Sequence, residues 1–182
     1  MNMSPLRQIS KPLPAAFVVL AVAAVTLAGA WTLQSLGVEP CELCLKQRFA
    51  YYAALPLATA AIFLSRNAQT MAARVLLAVL MVIFFGNAIL GAYHAGVEWR
   101  FWPGPTDCSG DFVKPASMED FRKQLQNIHV VRCDEVSLRI LGLSLAGWNF
   151  LLSSGLAALA GLGAQAPQNY FKDRRSCRRE PR

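Results

Sequence analysis

Four long stretches of this chain contain no Asp, Glu, Lys or Arg: 12–38, 49–65, 75–97 and 140–171. A helix needs about 20 apolar residues to cross the hydrocarbon core of a bilayer, with a range of about 17–25. The first, third and fourth stretches clear that length. The second has 17 residues and holds Tyr51, Tyr52 and Pro56, which makes it the weakest of the set. A three-span reading would leave that stretch with no soluble core to bury it, so the expected fold class is an all-α membrane protein. We expect a four-transmembrane-helix antiparallel bundle in a single domain, with spans at about 14–36, 47–65, 74–95 and 140–163. Loops 37–46 and 96–139 then share one side, and the tail 164–182 lies on the other.

The net charge of +7 invites a nucleic-acid reading, but its distribution argues against one. Arg7 and Lys11 precede the first span, Arg66 and Arg74 lie between the second and third, and six Lys/Arg crowd 172–182. The segment 98–139 holds six basic and seven acidic residues and is close to neutral. The positive-inside rule therefore places both termini and the 66–74 loop in the cytoplasm. It places Cys41, Cys44 and the long loop outside. Arg7, Lys11, an apolar run and Ala28-Gly29-Ala30 also resemble a cleavable signal peptide. That run continues through Trp31 and Leu33 to Leu36, longer than the usual apolar region of about 7–15 residues, so a retained helix is expected.

Topology divides the five cysteines. Cys41, Cys44, Cys108 and Cys133 fall on the outer side, and Cys177 stands alone in the basic tail with no role assigned. Disulfides persist outside and are rare in the cytosol. A four-cysteine zinc site usually shows two close pairs, whereas Cys108 and Cys133 lie 25 apart with no second C-x-x-C; no metal is expected. A bridge between Cys108 and Cys133 reads equally as a loop staple. Cys41 and Cys44 would close too small a loop to remove much unfolded-state entropy, which makes them a poor staple and a good redox element. Pro40 disfavours helix at Glu39, so the second helix should begin at or just after the pair. Cys44 then lies near a helix N-terminus with Arg48 four residues on, an arrangement that favours a reactive thiolate. Lys46 is a further nearby charge.

The outer loop opens with an aromatic cluster at 97–102 suited to lipid headgroups, followed by Pro103-Gly104-Pro105. Met118, Phe121, Leu125 and Ile128 recur at helical spacing behind Ser117 and Asp120, predicting a short amphipathic helix. It lies either on the membrane surface or against the protein. Electrons leaving thiols here need an acceptor, and the chain has no dinucleotide fingerprint, haem-attachment motif or iron–sulfur cysteine run. A lipid-soluble quinone is the simple remaining choice. Arg48 at the membrane boundary is the candidate to hydrogen-bond its oxygen, with His94 at the outer end of the third span as a second contact.

Taken in order, these residues resemble the disulfide bond formation protein B (DsbB) family of bacterial inner-membrane oxidases. The resemblance rests on the four spans, the C-x-x-C-x-x-x-R element from Cys41 to Arg48, and His94. It continues through Trp102-Pro103-Gly104-Pro105 ahead of Cys108, then Cys133, Leu141-Gly142-Leu143 and Trp148-Asn149. What it implies is a thiol:quinone oxidoreductase that recharges a periplasmic DsbA-like dithiol oxidase. Cys108 and Cys133 would form the disulfide attacked by that partner, and Cys133 would exchange with Cys41. Cys44 would face ubiquinone or menaquinone, held non-covalently or as a transient Cys44 adduct, with Arg48 supporting it and His94 bordering the site. Glu42 inside the pair is a departure that should oppose the effect of Arg48. Two rivals stay open. A vitamin K epoxide reductase-like enzyme would carry its reactive C-x-x-C after the loop cysteines. A scaffold or transporter subunit would use the bridges as structure.

Overall fold

A computed structural model of the chain describes residues 11–104, 117–119, 122, 133 and 138–165. Helices α1 (Pro12–Ser35), α2 (Glu42–Arg66), α3 (Thr70–Glu98) and α4 (Leu145–Ala164) are each long and apolar enough to cross a membrane. The shortest, α4, has 20 residues, about 30 Å at 1.5 Å per residue, which matches the hydrocarbon core. A two-residue strand β1 (Arg139–Ile140) pairs antiparallel with β2 (Leu143–Ser144) just before α4.

The ends of the helices follow from local chemistry. Pro12 opens α1, where its missing N–H costs nothing. Gly37 closes it at φ +90°, letting the Val38 N–H reach Leu33 O at 3.1 Å in a Schellman-type turn. Helix α2 starts at Glu42, within the pair where Pro40 leads one to expect it and five residues before the expected span at 47; Cys41 caps it and Glu42 pairs with Lys46 at 2.7 Å on the exposed side. It then runs through Pro56 without a break; the freed backbone carbonyl is tolerated in bundle helices because neighbours and local adjustments satisfy it. The fourth span starts at Leu145, not at 140. Leu141 and Gly142 take positive φ (53° and 81°) to make the two-residue hairpin turn, and Ser144 Oγ then caps α4 by accepting from the Gly147 N–H at 3.2 Å. The amphipathic helix expected after Ser117 falls almost wholly outside the described residues.

The helices form an antiparallel ring in which α3 packs most extensively on α4, α1 on α2 and α2 on α3, while the diagonal pair α2 and α4 touches least. The register between α3 and α4 is read from three glycines: Gly163 faces Leu77, Gly161 faces Met81, and Gly91 faces Phe150. The core is built largely from small residues, Ala15, Ala16 and Ala23 of α1 with Ala54, Ala58 and Ala61 of α2, all fully buried. Large apolar side chains such as Phe49, Phe63, Val82 and Phe85 point outward. Lipid tails are as apolar as leucine, so association rests on close packing of small residues and not on hiding large ones.

One polar cluster ties three helices together below the end that carries the Cys41–Cys44 pair. Tyr51 Oη donates to Asn149 Oδ1 at 2.7 Å and lies 3.2 Å from Ser153 Oγ. Asn87 Nδ2 donates to Ser153 Oγ at 2.9 Å and to Asn149 Oδ1 at 3.3 Å. This cross-link fixes α2, α3 and α4 directly beneath the cysteines. Above it the chain leaving α3 folds back: Phe101 N–H donates to Gly96 O at 2.9 Å, and Trp102 Nε1 donates to Tyr93 O at 3.0 Å. Trp102 stacks on Tyr93 and lies so close to Gly96 that a Cβ there would collide with the indole.

Candidate redox site

Helix α2 begins between the two cysteines of the pair. Cys41 is the N-cap, with extended backbone (φ −71°, ψ 169°), and its Sγ accepts from the Cys44 N–H at 3.4 Å. The same sulfur lies 3.2 Å from Cys44 Sγ, within hydrogen-bond reach and without a covalent bridge. Cys41 is buried, and its thiol is pushed up to about 12, first by its hydrogen bond to Cys44 and then by burial. The His94 ring and the Cys44 backbone N–H pull in the opposite direction and do not offset this.

A second layer of side chains surrounds Cys41. His94 Nε2, on α3, lies 3.6 Å from Cys41 Sγ, and its Nδ1 lies 3.1 Å from Gln47 Nε2 on α2. One turn beyond, Glu98 Oε1 is 3.9 Å from the same Nε2. All three side chains are buried, and Glu98 Oε2 has no hydrogen-bond partner among the described residues. Cys133, 2% exposed, packs into one cluster with Cys41, Leu43 and Val97.

Cys44 packs against the edge of that cluster and also faces open space. It lines a cavity of about 360 Å³ between α1, α2 and α4, together with Gln47, Arg48, Tyr51, Trp148 and Asn149. The rest of the wall is mostly apolar, including Val25, Leu27, Leu33 and Leu152. Arg48 is held at the rim: Nη1 donates to Gln34 Oε1 at 2.7 Å and Nη2 to Ala30 O at 3.5 Å. A largely apolar cleft with a few placed polar groups is the usual form of a small-molecule site, and its volume lies within the typical range of about 300–1,000 Å³.

The structure brings together Cys41, Cys44, Arg48, His94 and Cys133, while Cys108 and Cys177 lie outside the described residues. His94 does not line the cavity; it meets Cys41, and Gln47 stands between its ring and that space. Glu42 turns outward to Lys46, so its charge is compensated away from the pair, and Lys46 serves Glu42 instead of Cys44. Gln47 and Glu98 were not among the residues expected from the sequence. Gln47 follows Cys44 by three positions and Glu98 follows His94 by four, spacings that share a helix face.

Comparison with known proteins agrees with this geometry. Residues 12–163 match the family model described as disulfide bond formation protein DsbB. The chain is 27% identical over 150 residues to a disulfide bond formation protein B of Polaromonas sp. (strain JS666 / ATCC BAA-500), covering 81% of this chain and 86% of that one. It is also 27% identical over 126 residues to the uncharacterized protein RP370 of Rickettsia prowazekii (strain Madrid E), covering 68% and 70% respectively. No solved structure matches it significantly. Four membrane-length helices, a cysteine pair at a helix start and a match over most of the chain lead to one assignment: the chain belongs to the DsbB family, multi-pass membrane proteins with an oxidoreductase role in disulfide bond formation.

Proposed function

We propose that this protein takes electrons from a DsbA-like dithiol oxidase on the outer face of a bacterial inner membrane and passes them to a membrane quinone. The observation that carries the reading is the split environment of the pair: Cys41 is buried against Cys133, while Cys44 lines the cavity with Arg48. Both termini lie in the cytoplasm on this reading, from the charge distribution.

The chemistry balances as follows. The partner dithiol reduces the Cys108–Cys133 disulfide. Cys133 thiolate then attacks Cys41 Sγ, forming a Cys133–Cys41 bond as the Cys41–Cys44 bond breaks. Cys44 leaves as a thiolate facing the cavity. Cys108 thiolate next attacks Cys133, re-forming the Cys108–Cys133 bond and releasing Cys41 as a thiol. When the Cys41–Cys44 bond forms again, two electrons and two protons have left the partner dithiol for the quinone.

A quinone bound in the cavity supplies the two-electron acceptor, ubiquinone or menaquinone. The residues present fit such a group: apolar walls for the ring and tail, and the guanidinium of Arg48 as a hydrogen-bond donor to a carbonyl oxygen. Gln47 reaches the same space with its side chain, and His94 acts behind it on the Cys41 side. The decisive experiment is Cys44→Ser in membranes supplied with a reduced DsbA-like donor. Quinone reduction should vanish while Cys108 and Cys133 still exchange with the donor; unchanged turnover would overturn the route.

A further inference from the structure

Cys41, Cys44 and His94 present two sulfurs and an imidazole nitrogen within 4.8 Å of one another, drawn from α2 with its cap and from α3. We propose that the reduced pair and His94 form a three-ligand site for a thiophilic divalent cation, Zn2+ in the first place, which holds the pair reduced while bound.

The distances suit that ion. Zinc binds sulfur at about 2.3 Å and imidazole nitrogen at about 2.0–2.1 Å, so tetrahedral geometry sets a sulfur–nitrogen edge of about 3.5 Å and a sulfur–sulfur edge of about 3.8 Å. Cys41 Sγ to His94 Nε2 is already 3.6 Å. The two sulfurs, at 3.2 Å, need to open by about half an ångström, and Cys41 sits outside the helix where its side chain can turn. Two thiolates cancel the charge of the cation, so the loaded site is neutral, as a buried position demands. Two sulfurs with one imidazole is a ligand set that leaves a fourth position open.

The surroundings supply what such a site needs next. Nε2 ligation requires the proton on Nδ1, and the Gln47 amide beside Nδ1 accepts it once its carbonyl and amino ends exchange places by rotation. Glu98 Oε2 is buried and unpartnered among the described residues, on the carboxylate next to Nε2, where it can accept a hydrogen bond from a water in the fourth position, so the inner ligand set stays neutral. Loading is a proton exchange with no electron transfer: one Zn2+ replaces two thiol protons, which leave to solvent. A Cys41–Cys44 disulfide offers no thiolate, so the site exists only in the reduced state. That loading stalls electron flow to the quinone is the one consequence that rests on the function proposed above.

The test uses the full chain in detergent with Cys108, Cys133 and Cys177 changed to Ser, reduced and stripped of metal. Zinc is titrated against a chromophoric chelator. One zinc per chain is expected in the reduced form and none after the pair is oxidised. His94→Ala should weaken binding beyond the about 10–100-fold typical of losing an outer partner. Cobalt should give the thiolate charge-transfer and visible bands of four-coordinate geometry, altered by the same substitution. Absence of uptake, equal uptake when oxidised, or wild-type affinity in His94→Ala overturns the site. Should His94→Ala misfold, zinc protection of Cys41 and Cys44 from maleimide in the native chain decides: both must be shielded. Quinone reduction by the native chain in metal-free buffer is scored separately, so a failed cation site and a failed electron route give different results.

Discussion

The Cys41 thiol is pushed from an ordinary 9.0 to about 12, and this sets its reactivity in the reduced protein. A rise of about three units means about a thousandfold less thiolate at any pH well below 9, and only the thiolate attacks an alkylating agent. Near pH 8 an ordinary thiol of this kind is about one-tenth ionised, whereas Cys41 is ionised to about one part in ten thousand. Restricted access also slows a bulky reagent, but it does so equally at every pH and cannot move the inflection. The pH profile therefore separates the two effects. Iodoacetamide would be added to reduced, chelator-treated protein between about pH 6 and 10, and initial Cys41 modification counted by mass in chains still unmodified at Cys44. The rate constant should climb about tenfold per pH unit through 9 without levelling. In Cys44→Ala, which removes the largest cause, the inflection should fall back toward 9.0. A profile that levels near an ordinary thiol's pH in the intact pair, or an inflection unmoved in Cys44→Ala, would refute the reasoning.

Three further outcomes follow from the geometry. Arg48→Ala removes the guanidinium from the cavity rim and should raise the apparent quinone requirement about ten- to hundredfold, as expected for a charged hydrogen bond of about 1.5–3 kcal/mol; an unaltered quinone dependence removes Arg48 from the site. Tyr51→Phe deletes the hydroxyl that joins α2 to Asn149 and Ser153, and thermal unfolding in detergent should report a loss of about 1 kcal/mol; wild-type unfolding would show the cluster to be energetically idle. Gly96→Ala drives a methyl group into Trp102, so the indole should leave its stack on Tyr93 at a cost of about 1–3 kcal/mol. A tryptophan emission spectrum identical to wild type would contradict that packing.

The four spans were legible because a charge-free run of that length has no other favourable environment. Their ends were less so. The second helix extends back through Glu42 and Lys46, charges placed in the loop 37–46 by the sequence. An exposed i,i+4 ion pair and a cysteine cap make them a helical first turn outside the lipid. The fourth helix starts late because the hairpin turn at Leu141 and Gly142 carries apolar residues and so reads as membrane. Within the site, Cys44 and Arg48 follow from spacing along one helix. The meeting of His94 with Cys41, 53 positions away, depends on how α3 packs on α2, which no local pattern encodes. Glu98 lies within the segment 97–102 read as suited to lipid headgroups, yet its side chain is only 6% exposed.

Cys41 stands at the cap of α2 and not inside the helix, and on the proposed function this decides how the pair cycles. Side chains three apart within a helix keep their Cβ atoms about 5–6 Å apart, and a bridge between them would strain the backbone of both. The extended backbone at Cys41 instead folds its sulfur back over the first turn, where it already accepts the Cys44 N–H. Opening and closing the pair then turns one side chain at the edge of the helix and leaves the Ala54, Ala58 and Ala61 packing of α2 untouched. The same fold-back gives the two sulfurs partly different neighbours: both pack at the cluster that holds Cys133, but Cys41 sits against His94 while Cys44 stays on the helical face that lines the cavity. A pair wholly within the helix would present both sulfurs to one side. On the proposed function, the direction of electron flow along this chain is thus set by where α2 begins.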